Sequence, residues 1–123
     1  MSALLLPAIS LISKIMGLKT ISPIDLHTAI QNHRVTVIDV NARHRWQAAH
    51  IPGAMNLDPT QFSANDLPLD TARDLVFYCS NPLCRKAPNA APRAMQLGYQ
   101  HVHVMSAGIG GWLDQHLPTE AAS

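Results

Sequence analysis

Three short apolar runs separated by helix-like segments constrain this chain most. Val35-Thr36-Val37-Ile38 is β-branched throughout and reads as a buried strand that ends at Asp39. Leu75-Val76-Phe77-Tyr78 is a second strong strand, with Cys79 at its C-terminal end, and Val102 to Met105 is the last. Lys19 to Ile21 reads as an edge strand. Between these runs, Ser22-Pro23-Ile24-Asp25 has the chemistry of a helix start: a serine cap, proline in the first turn, and an acid where the helix dipole favours one. That helix is expected to reach about Asn32. Further helices are expected over 42–48, over 86–97 with Gly98 as its stop and Pro92 bending it, and over 109–115. The stretch 58–70 reads mostly as loop. Strands alternating with helices predict an α/β domain whose central sheet is mainly parallel and flanked by helices. Such sheets carry their sites beyond the carboxyl ends of the strands, where Cys79 falls.

The 123 residues fit one domain, and 47% apolar content supplies a core. A net charge of +1 lacks the basic excess of a nucleic-acid binder. The two cysteines, Cys79 and Cys84, match neither a disulfide framework nor a zinc pattern. They are expected to be reduced thiols in a cytoplasmic protein. Residues 1–17 are expected to form a separate unit, an amphipathic helix with Leu4, Ala8, Leu11 and Ile15 on one face, with the domain proper over 18–123. No basic residue precedes its apolar run, as a signal peptide would require, and the run is too short to span a bilayer. Packing on its own domain or on a twin subunit in a homodimer is the favoured use of that face. Contact with a membrane surface is the less favoured one, because the polar face carries few basic residues.

The segment Cys79-Ser80-Asn81-Pro82-Leu83-Cys84-Arg85-Lys86 runs from a strand end through a loop into a helix. The first amides of that helix lack internal partners and, with the dipole, form an anion site. A cysteine facing them is expected to have a lowered pKa and to act as a thiolate nucleophile. Arg85 and Lys86 add positive charge, and Arg85 can grip an oxyanion in a bidentate way. Cys84 lines the loop, resolves an oxidised Cys79, or does neither.

The flanking segments resemble the rhodanese family. His50-Ile51-Pro52-Gly53-Ala54, following Val37-Ile38-Asp39-Val40, is similar to its N-terminal signature. Ala107-Gly108-Ile109-Gly110-Gly111-Trp112, then Leu117-Pro118-Thr119, is similar to its C-terminal one, and Tyr78-Cys79 sits where the family keeps its catalytic cysteine. The resemblance covers about residues 21–120. It implies a single rhodanese-like domain that passes sulfane sulfur through a cysteine persulfide. Cys79 would bear that persulfide, and the amides of Ser80, Asn81, Leu83, Cys84, Arg85 and Lys86, with Pro82 in the turn, would line the cradle. The implied partners are a small anionic donor such as thiosulfate and a thiol or cyanide acceptor, with a protein as donor or acceptor left open. No metal and no cofactor are expected.

The sequence departs from the family pattern at several points. Asn41 stands where arginine is common, Arg45 where an acid is common, and Ala49 where glycine is common; these read as surface or packing changes. The larger departure is loop length. Five residues separate Cys79 from Arg85, a spacing similar to the phosphatases and arsenate reductases of the same fold. Against that alternative, Tyr78 replaces their usual histidine, and the loop holds no carboxylate to serve as general acid. Asp39 and Asp58 are the carboxylates left to consider. A non-catalytic module that binds an anion or a protein is the third reading. His50 is expected to be structural. His101 and His103 share a strand face without a third ligand in a recognisable pattern. Trp112 and Trp46 read as packing residues, and Gly108, Gly110 and Gly111 as a turn into the last helix.

Overall fold

The computed structural model describes residues 18–122, and the expected N-terminal helix lies outside them. The elements are β1 (Lys19–Thr20), α1 (Pro23–Gln31), β2 (Val35–Asp39), α2 (Arg43–Ala48), β3 (Met55–Asn56), a 3₁₀ turn (Ala64–Asp66), β4 (Asp74–Tyr78), α3 (Lys86–Gln96), β5 (Val102–Val104) and α4 (Gly108–Asp114). The five strands form one sheet in the order β1-β5-β4-β2-β3, every pairing parallel. Among the described residues, no helix is long and apolar enough to cross a membrane.

The local signals act as the sequence predicts. Ser22 caps α1 by accepting from the Asp25 amide at 3.1 Å. The last α3 carbonyls are closed by Gly98 at φ 101°, with its amide on Met95 and the Tyr99 amide on Ala94, the paired bonds of a Schellman stop. The helix runs on through Pro92. In the loop between β3 and β4, the sequence reading missed only the single 3₁₀ turn.

Alternation along the strands sorts side chains into two cores. One face carries Ile38, Val40, Leu75, Phe77, Cys79, Val102 and Val104 against α3, whose contact surface is Ala87, Ala90, Ala91 and Ala94. These small residues let the helix lie close to the sheet. The other face carries Val37, Val76 and Tyr78 against Leu26, Ile51 and Trp112. Register pairs Asp39 with Tyr78 at the carboxyl ends of the two central strands. That edge is where the loop from Cys79 begins.

Candidate functional site

Cys79 leaves β4 on the α3 face, and the chain turns at once. The Asn81 carbonyl accepts from the Cys84 amide at 3.1 Å, and the Asn81 side chain accepts from the Leu83 amide at 2.9 Å. This tight turn folds Cys84 back over Cys79. The Cys79 thiol donates to the Cys84 carbonyl at 3.5 Å, with the Cys84 thiol close enough to act on its acidity. Arg85 ends the loop and caps α3. Asn81, Pro82, Leu83, Arg85 and Lys86 are exposed, Ser80 and Cys84 half-buried, and Cys79 only 3% exposed. The loop residues expected from sequence are thus exposed or half-buried, and Cys79 is buried at their base.

This placement reverses one expectation. The Cys79 thiol is pushed up to about 12, chiefly by burial and further by its hydrogen bond with Cys84, against the opposing pull of the Ala87 and Ser80 amides. At Cys84 burial also pushes upward, but the hydrogen bond from Cys79 and the amides of Lys86 and Ser80 outweigh it and hold this thiol below its ordinary value. Of the two thiols, Cys84 is the one held lower and Cys79 the one held higher. Helix position alone predicted the opposite because it says nothing of burial.

Two supports for the loop escaped the sequence reading. The first is the α4 start. The Ile109 amide donates to the Cys79 carbonyl at 2.8 Å and the Gly110 amide to the Ser80 carbonyl at 3.0 Å. Gly108, at φ 68°, lies so close beneath that a Cβ there would meet the Ser80 carbonyl carbon and the Asn81 nitrogen at 2.6 Å. A Cβ on Gly110 would lie 3.2 Å from the Ser80 oxygen, and one on Gly111 would meet the Ala107 Cβ at 2.4 Å. Gly108 and Gly110 thus form a platform under the cysteine loop as well as a turn. The second support is Asn41, buried, which makes its departure a packing change. It accepts from the Ser80 hydroxyl at 3.0 Å and is itself held by the Asn56 side chain on its carbonyl. Its departure from the family pattern was the available signal.

Beside the loop, a cleft of about 410 Å³ is lined by Asn41, Arg43, Asn56, Asp58, Pro59 and Lys86 among others. Asp58 is exposed, and its carboxylate accepts from the Thr60 amide and hydroxyl, which hold it below the usual carboxylate range. Asp39 is fully buried, and burial pushes its carboxyl upward against the Tyr78 hydroxyl and the Asn41 amide. By strand alternation Asp39 faces the Tyr78 side of the sheet, opposite Cys79.

The histidines and tryptophans hold the frame. His50 is buried, stacks on Trp46 at 4.3 Å between centroids, bonds the Trp46 carbonyl and lies 3.4 Å from the Glu120 carboxylate. Glu120 also accepts from the Gly53 amide, so the His50–Ala54 turn is tied to the end of the domain. Trp112 is fully buried with its indole N–H on the Pro118 carbonyl at 2.8 Å. Trp46 donates to the Ala54 carbonyl at 2.9 Å.

The Rhodanese-like domain family model matches residues 22–115. Among relatives, the HTH-type transcriptional regulator Rv0324 of Mycobacterium tuberculosis is 34% identical over 86 residues, which are 70% of this chain and 38% of the regulator. The protein YibN of Escherichia coli K12 is 30% identical over 113 residues, 89% of this chain and 75% of YibN. A crystal structure of thiosulfate sulfurtransferase from Pseudomonas aeruginosa matches with a TM-score of 0.75 at 27% identity, over 85% of this chain and 20% of that one. The BH2092 protein of Bacillus halodurans shares the fold, with a TM-score of 0.76 at 23% identity over 91% of this chain and 82% of its own.

Proposed function

The chain belongs to the rhodanese-like domain family, and from that premise we propose that it is a sulfurtransferase working through a persulfide on Cys79. A small anionic donor such as thiosulfate enters over Arg85 and Lys86. Cys79 takes its outer sulfur, sulfite leaves, and a thiol or cyanide acceptor then removes the sulfur. The setting proposed is the cytoplasm, where two unbridged thiols persist.

The observation that carries this reading is the depth of Cys79. Its sulfur lies at the floor of the loop, beside the Ser80 and Ala87 amides and 3% exposed. Adding one sulfur extends the reactive atom by about 2 Å along the new S–S bond, out toward the rim. Phosphate-ester cleavage asks for something the site does not supply. A general acid is worth roughly a hundred- to ten-thousand-fold there. The loop has no carboxylate, Asp58 is held toward its ionised form, and Asp39 lies across the sheet. Loop length remains the one feature on the phosphatase side. The regulator relative favours a second reading, a sensory or binding module in which the same loop holds an anion without turnover.

One preparation assayed for thiocyanate from thiosulfate and cyanide, and for phosphate from an aryl ester, separates the three. Thiocyanate that disappears in Cys79→Ser, with the fold kept by circular dichroism, is the expected result. Phosphate release dependent on Cys79 without thiocyanate overturns the proposal in favour of a phosphatase. Neither product leaves the binding module.

A further inference from the structure

We infer that Cys84 is a second catalytic thiol, which attacks the Cys79 persulfide, closes a Cys79–Cys84 disulfide and expels the outer sulfur as sulfide. This rests on the sulfur-transfer reading and adds to it a second fate for the bound sulfur, reduction inside the protein.

Three observations converge on Cys84. The turn from Asn81 to Cys84 folds it onto Cys79, whose sulfur lies 3.5 Å from the Cys84 carbonyl oxygen. The contact is with the Cys79 sulfur itself, which becomes the inner sulfur of the persulfide. Exposure is graded, with Cys79 at the floor and Cys84 half-buried on the wall. The acidity is ordered to suit, since Cys84 is the thiol held low while Cys79 is held high. The nucleophile in thiol–disulfide exchange is the thiolate, and a persulfide is a disulfide with a hydrogen at one end.

The step balances without an outside oxidant. The Cys84 thiolate forms a bond to the Cys79 sulfur, the bond between that sulfur and the outer one breaks, and the outer sulfur departs as hydrosulfide with the electron pair. The sulfane sulfur is reduced and the two cysteine sulfurs are oxidised. The loop returns to the dithiol only when an external dithiol reduces it, so turnover by this route consumes a dithiol and yields sulfide. Cyanide attack on the outer sulfur bypasses the disulfide, and the two routes compete for one intermediate.

The test uses the reduced full-length protein, treated separately with one equivalent of thiosulfate and of inorganic polysulfide, with no reductant present. Trypsin releases both cysteines in a single peptide, 74–85, because cleavage falls after Arg73 and Arg85. The expected wild-type peptide is lighter by about 2 Da, the loss of two hydrogens to a disulfide, with sulfide released in step. In Cys84→Ser the same peptide carries about 32 Da, one sulfur, and sulfide release falls at least tenfold. A wild-type peptide that keeps the extra sulfur on Cys79, or passes it to Cys84 as a stable persulfide, overturns the inference; this result needs no variant to fold. If thiosulfate loads Cys79 and no sulfide appears, the inference fails and sulfur transfer stands. If thiosulfate does nothing while polysulfide closes the disulfide, the thiosulfate reading fails and the role of Cys84 stands.

Discussion

Gly108→Ala should damage the cysteine loop far more than its small size suggests. Gly108 sits at φ 68°, a left-handed conformation that costs an L-residue about 1–2 kcal/mol. It also lies under the loop, with an added Cβ 2.6 Å from the Ser80 carbonyl carbon and the Asn81 nitrogen. Ordinary contact begins near 3.4 Å, so the loop has to rise by about 0.8 Å, and overpacking of this kind costs a further ~1–3 kcal/mol. The sum is about 2–5 kcal/mol of stability. The same lift moves the Ser80 amide relative to Cys79, and misplacement of about 1 Å can cost a hundredfold in rate. Gly98→Ala provides the control. Gly98 has φ 101° with nothing within 4 Å of its added Cβ, so it carries backbone strain without overlap. Urea unfolding of the two variants, with thiocyanate formation measured beside it, checks the reasoning. Gly108→Ala should lose about 1–3 kcal/mol more than Gly98→Ala and should alone lose activity. Equal losses in stability, or full activity in Gly108→Ala, would refute the platform role.

Three further outcomes are expected. Arg85→Ala should lower kcat/KM for thiosulfate at least tenfold while iodoacetamide labelling of the thiols changes little, because the helix amides rather than the guanidinium flank the sulfurs. Iodoacetamide should label Cys84 first in the wild type: a Cys79 thiol near 12 is only about one part in ten thousand thiolate at pH 8, and peptide mapping that finds Cys79 labelled first would contradict this. Asp39 has its carboxyl raised above 3.8 by burial, so its contribution to stability is present in acid and lost as pH rises through the folded-state value. Asp39→Asn should remove that slope, so that urea unfolding from pH 4 to 8 shows the stability of the wild type relative to the variant falling as pH rises.

The elements were legible because each depends on neighbours in sequence. Val35 to Ile38 and Leu75 to Tyr78 announce buried parallel strands by composition, and Ser22 and Gly98 mark helix ends by chemistry that acts within one turn. The candidate site was legible as a segment for the same reason, since Cys79 to Lys86 is continuous. Its energetics were not. What sets the acidity of Cys79 is burial beneath its own loop and the Cys84 thiol brought back by the Asn81 turn, and neither is a property of the helix N-terminus from which the lowered pKa was expected. Likewise the contacts of Gly108 with Ser80 and of Asn41 with Ser80 join segments 28 and 39 residues apart, so glycine spacing could mark a turn without showing what rests on it. The same long-range placement also separates residues that sequence left together as alternatives. Asp39 ends a strand beside the one that delivers Cys79, yet register and alternation put its side chain on the opposite face of the sheet. A carboxylate close to Cys79 along the sheet edge is thereby turned away from it, and the groups the loop itself brings together are the two cysteines.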